Sequence, residues 1–191
     1  MSTIDEMRIE MSNKFEKFVF KMASDFEKSI VSNSSSPPDA LELYYFTHFV
    51  LLSELADSKQ DGVLKKYSDI SLQQIVKRLN IKDVESIRNT RQERFDDYLI
   101  YRDQIKYDDE RSESEKFFMY VNAAGDRIFK NNLSASLMFD GIFMDFISKL
   151  TIERQQLALN ILNGFAGESE KKQKMVVLLQ QSFTMIMAPG K

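Results

Sequence analysis

The stretch PPDALELYYFTHFVLLSELAD, residues 37–57, decides the fold. Leu41, Leu43, Tyr44, Tyr45, Phe46, Phe49, Val50, Leu51, Leu52 and Leu55 leave almost no polar face. A helix that is apolar nearly all round has to be enclosed by other elements. Ser36 is placed to cap it and Pro37 to occupy its first turn, where a missing amide proton costs nothing. The helix is expected to run to about Asp57, before Gly62, and to lie at the centre of a bundle.

On its N-terminal side, Ile4, Met7, Met11, Phe15, Phe18, Met22, Phe26 and Ile30 recur by threes and fours, the spacing of one helix face. Residues 1–31 therefore read as an amphipathic helix or arm. Residues 32–38, rich in serine and ending in two prolines, read as a linker, and 39–191 as the bundle domain. On the C-terminal side, Ser71-x-x-Gln74 matches a capping box opening a short helix to Leu79. Asp83 is placed to cap a longer helix through Tyr98 and Leu99 to about Lys106. The acidic run Tyr107 to Lys116 reads as a loop before a helix holding Phe117, Phe118 and Tyr120, which Gly125 is expected to interrupt. Three more helices are expected at about Leu133–Leu150, Ile152–Asn163 and Glu168–Met187, with Thr151 as a cap and Gly164 as a terminator. The expectation is an all-α bundle of seven or eight helices, its core built on the 37–57 helix and the Leu133–Leu150 helix.

Composition points the same way. In 191 residues there are six glycines and three prolines, too few turns for a many-stranded sandwich or barrel. No cysteine is present, which removes disulfides and thiolate chemistry and fits a reducing compartment, so a cytoplasmic location is expected. Asp5, Glu6, Arg8 and Glu10 leave no secretory-signal pattern at the start. The longest charge-free run, Met175 to Gly190, is short and interrupted by polar residues, so no membrane span is expected.

Candidate chemistry is sparse. The one histidine, His48, lies among Tyr44, Tyr45, Leu51 and Leu52 and reads as a core residue. Asp140, among Leu137, Phe143 and Met144, would need a partner if buried, and His48 is one candidate. Glu110-x-x-Glu113 with Asp126 resembles the magnesium-binding carboxylates of helical nucleotide pyrophosphohydrolases, but Phe129 stands where the fourth carboxylate belongs. No Glu-x-x-His pair, phosphate-binding glycine loop or nucleophile elbow occurs. The expectation is a protein that is not an enzyme, with no catalytic residue, metal or cofactor.

Two binding functions remain. Leu72 to Arg88 resembles a helix-turn-helix, which implies a second helix whose early side chains reach base edges. The implied DNA-binding set is Lys77, Arg78, Lys82, Ser86, Arg88, Asn89, Arg91 and Arg94. Two features depart from the motif: Val84 and Ile87 fall one place off its usual apolar register, and Asn80 stands where glycine is common. Val63 to Arg94 carries eight bases against four acids, a net +4, in a chain whose net charge is −3, so the rest carries −7. The competing reading is a protein-interaction module, since fifteen phenylalanines and ten methionines exceed what one small core obviously needs. At the C-terminus Met175, Val176, Leu179, Phe183 and Ile186 are interface candidates, with a second copy of the chain as one candidate partner. Interaction with a protein partner is the leading expectation and DNA binding the alternative.

Overall fold

Asp39, rather than Ser36, starts the central helix. Its Oδ1 accepts from the amides of Leu41 and Glu42 at 3.0 and 3.2 Å, which is the hydrogen-bonding work of an N-cap. Ser36 is held elsewhere, its Oγ accepting from Asn132 at 2.8 Å and its amide donating to Ser34 Oγ at 3.1 Å. The expected cap was therefore wrong by three residues, because Pro37 and Pro38 lie outside the helix, ahead of Asp39, instead of opening it.

The computed structural model describes residues 3–34, 36–55, 61–106, 113–130, 132–163, 173, 176 and 177. Among these, six helices and no strand occur: α1 (Thr3–Asn33), α2 (Ala40–Leu55), α3 (Asp61–Arg78), α4 (Val84–Lys106), α5 (Glu113–Ile128) and α6 (Leu133–Asn163). The all-α class stands, with six helices among the described residues where seven or eight were expected, and the expected Glu168–Met187 helix lies almost wholly outside those residues. Three expected punctuation marks are read through. Ser71 sits inside α3 with its hydroxyl donating back to the Ser68 carbonyl at 3.1 Å, so the capping-box pattern opens no helix. Thr151 does the same inside α6, donating to Ile147 at 3.1 Å, and the two expected helices on either side of it are one. Gly125 does not interrupt α5. A methyl group there would lie 3.3 Å from Phe139 Cδ1 and 3.4 Å from Ser136 Cβ, so glycine lets α5 and α6 approach closely.

At the α3–α4 and α5–α6 breaks, individual side chains account for the helix ends. Asn80 takes a left-handed φ of 52°, and the Ile81 amide reaches back to Val76 at 3.0 Å, ending α3 as a glycine would. Asp83 caps α4 through the Ser86 amide at 3.0 Å, as the sequence implied. Asn132 caps α6 through the Ala135 amide at 3.3 Å. The 32–38 stretch is fastened at its far end, where the Asp39 amide donates to Ile128 at 2.7 Å.

Around α2 lie α1, α3, α4 and α5, with α6 packed on α1 and α5. Phe46 of α2 meets Phe139, Phe143 and Tyr98 at ring separations of 5.3 to 5.5 Å, and Phe26 of α1 stacks on Phe146 at 4.2 Å. Each fully buried side chain of this kind contributes about 1.5–3 kcal/mol relative to exposure, so the aromatic centre dominates the packing energy. The α1 stripe from Met7 to Ile30 belongs to this same core. A smaller cluster of Tyr44, Tyr45, Leu72, Ile75 and Ile87 lies under the α3–α4 turn.

Candidate functional site

The basic segment divides into residues that face solvent and residues turned inward. Lys77, Arg78, Lys82, Ser86, Arg88 and Asn89 are exposed. Arg91 is not available in the same way, because its guanidinium donates to the Tyr44 hydroxyl at 2.9 Å and to the Ser68 carbonyl at 3.3 Å. Arg94 grips both carboxylate oxygens of Glu42, the shortest contact being 2.9 Å. Among the exposed bases, Arg88 pairs with Glu85 at 2.6 Å and Arg78 lies 3.6 Å from Glu27. In the α3–turn–α4 unit, α3 packs chiefly against α1 and α4 chiefly against α5, and both also touch α2, so the two helices serve as walls of the bundle.

Inside those walls, His48 lies between two tyrosines. Its ring stacks on Tyr67 at 6.0 Å and 16° and stands 6.1 Å from Tyr44, while Nδ1 is buried without a hydrogen-bond partner. Burial, with the nearby Arg91 charge adding to it, depresses its pKa to about 3, so the imidazole is neutral throughout the physiological range. Asp140 is not its partner. That carboxylate lies half-buried where α5 meets α6, and the Asn122 amide, with its nitrogen turned toward it, donates to both oxygens at 3.1 and 3.0 Å. Burial raises the Asp140 pKa and neighbouring Asp126 adds to the effect.

A cavity of about 300 Å³ opens between α1 and α3, lined also by Tyr44 of α2. Glu27, Arg78, Ser71 and Tyr67 give it its polar groups and Phe20 and Ile75 its apolar ones. Desolvation raises the Glu27 pKa against the lowering influence of Arg78, and burial likewise raises that of Tyr67. Among the described residues no three acidic, histidine or cysteine side chains converge as a metal site would require. In the magnesium-like pattern, Glu110 lies outside the described residues, while Asp126 accepts a hydrogen bond from Ser136 at 3.1 Å. No helix among them is long and apolar enough to cross a membrane.

The feature that sequence reading missed is the outer face of α6. One side of this helix buries Phe139, Phe143, Phe146, Leu150 and Ile161 in the core. On the opposite side Leu137, Met144, Ile152 and Leu159 stand exposed by 40–64% of their surface, in line with Gly141, Ser148 and Gln155. The expected break at Thr151 had hidden the row, since it continues across that residue without a change of phase. The C-terminal candidates Met175, Leu179, Phe183 and Ile186 lie outside the described residues. Val176 is half-buried against the main core. No protein-family model, curated protein or solved structure matches the chain.

Proposed function

We propose that this chain is a non-enzymatic protein-interaction module whose contact face is the outer side of α6. The observation that supports it most directly is the exposed row of large apolar side chains directly opposite the row that builds the core. A monomer gains nothing from hydrating Leu137, Met144, Ile152 and Leu159 along one line, and exposed apolar side chains aligned in this way favour a protein contact. The row is narrow, with Gly141, Ser148 and Gln155 between its apolar side chains and the first two keeping it low, so the matching partner surface is an amphipathic helix with its own apolar seam.

Replacing Ile152 with the photo-cross-linking amino acid p-benzoylphenylalanine tests this in extract of the source cells. A discrete protein adduct is expected at position 152, absent for the same replacement at Glu93 on α4, and lost when Leu137 and Met144 are changed to glutamate. No protein adduct of any kind at 152 refutes the reading.

Duplex DNA binding through the α3–α4 turn is the second reading, favoured by the exposed cations Lys77, Lys82 and Arg88 around that turn. With Arg91 and Arg94 turned inward, this set supports about three phosphate contacts and a slope of log K against log salt near about −2.7. Fluorescence anisotropy of labelled duplex at two salt concentrations measures it, and the absence of binding at low salt removes it.

A further inference from the structure

We infer that the helix received by α6 is the α6 of a second copy, laid antiparallel across a two-fold axis at Ser148. This rests on the reading of α6 as the contact face and names its occupant. At 100° per residue, Leu137, Gly141, Met144, Ser148, Ile152, Gln155 and Leu159 all fall within about 40° of the Ser148 direction, so they form one straight seam. The seam is spaced identically from either end. Leu137 and Leu159 lie eleven positions from Ser148, Gly141 and Gln155 seven, and Met144 and Ile152 four. Two-fold pairing requires a patch that complements itself. Antiparallel rotation about Ser148 sets Leu137 against Leu159 of the second copy, Met144 against Ile152, Gly141 against Gln155, and Ser148 against itself.

Charge fits the same arrangement. Asp145 and Lys149 lie on one flank of the seam, about 60° and 100° from Ser148. The rotation keeps that flank facing its own copy and reverses its order, bringing Asp145 within about 3 Å, measured along the axis, of Lys149 of the second copy. Two such pairs form by symmetry, and Lys149, which holds Asp25 at 3.1 Å in the same chain, is half-exposed and able to serve both acids. On the other flank the residues of the second copy within about 3 Å of Asp140 along the axis are Arg154, Gln155 and Ala158, so no like charges are opposed. Gly141 then has a role that the single chain does not give it. Added side-chain volume at Gly141 would meet nothing within 4 Å, and its bare backbone offers a second helix close approach.

The absence of cysteine makes the register directly readable. Ser148→Cys, treated with a mild oxidant, is expected to give a disulfide-linked species of twice the mass on a non-reducing gel. Gly141→Cys mixed with Gln155→Cys is expected to cross-link, Gly141→Cys alone to remain single, and Glu93→Cys to remain single as a control. Sedimentation equilibrium of the unmodified chain is expected to give a dimer, and Met144→Glu with Ile152→Glu, both at exposed positions, a folded monomer by circular dichroism. A monomer at tens of micromolar overturns the inference. A dimer in which Ser148→Cys does not cross-link overturns it too. A photo-adduct at position 152 with a different protein, and none with a second copy, sinks this inference while leaving the contact-face reading intact. No adduct at all ends both.

Discussion

His48 should make the fold acid-sensitive well before its carboxylates are fully protonated. In the unfolded chain the imidazole titrates near its ordinary value of about 6.5, whereas in the folded protein burial and Arg91 depress it to about 3. The unfolded state therefore binds the proton first, and stability present above pH 6.5 is lost as the pH falls toward 3. Between pH 7 and pH 4.5 the folded ring stays neutral while the unfolded ring becomes fully charged. At 1.36 kcal/mol per pH unit this costs about 2.5 kcal/mol. Urea unfolding at both pH values, compared with His48→Phe, isolates the effect, because the carboxylates change equally in both proteins and phenylalanine keeps the packing against Tyr67. The variant should lose about 2.5 kcal/mol less than the parent over this interval. Because His48 is the only histidine, its ring-proton NMR signal needs no assignment and should not move between pH 7 and 4.5. A ring signal that titrates near pH 6.5, or equal losses in the two proteins, would refute the reasoning.

Gly125→Ala should destabilise the fold by about 1–3 kcal/mol, since the new methyl meets the Phe139 ring and the Ser136 backbone; thermal unfolding reads it. In the Met144→Glu, Ile152→Glu background, which removes the inferred dimer contact, Gly141→Ala should stabilise the chain by about 0.5–1 kcal/mol through helix propensity alone, because nothing of the same chain lies within 4 Å of that position. The two alanine substitutions therefore have opposite signs, and equal signs would contradict the packing described for α5 and α6. Arg94→Ala should cost about 1.5–3 kcal/mol by stranding the half-buried Glu42. A double-mutant cycle with Glu42→Gln should return a coupling well above the range of an exposed ion pair.

The position of α2 was legible because a helix with no polar face has nowhere to go but the middle, and the α1 stripe from Met7 to Ile30 was legible because it keeps one phase for seven turns. Asp83 could be recognised as a cap because its side chain acts within three residues. Ser71 and Thr151 carry the same local chemistry and were misread as boundaries. In both, the hydroxyl satisfies itself on the preceding turn and the helix continues through the residue. The candidate site suffered from that second misreading, since dividing α6 at Thr151 cut its outer seam in two. The inward turn of Arg91 and Arg94 was equally hidden, because Tyr44 and Glu42 are about fifty positions away along the chain.

Taken alone, the sequence determined what local periodicity and composition can determine: an all-helical chain, the helices with a persistent apolar phase, and the caps whose reach is one turn. Only the tertiary structure decided which apolar residues of α6 find the core and which are left outside, which arginines are neutralised by distant acids, and where His48 loses its water. The physical reason is that burial and charge compensation depend on neighbours brought together by folding, whereas helix formation depends mainly on residues within a turn of one another.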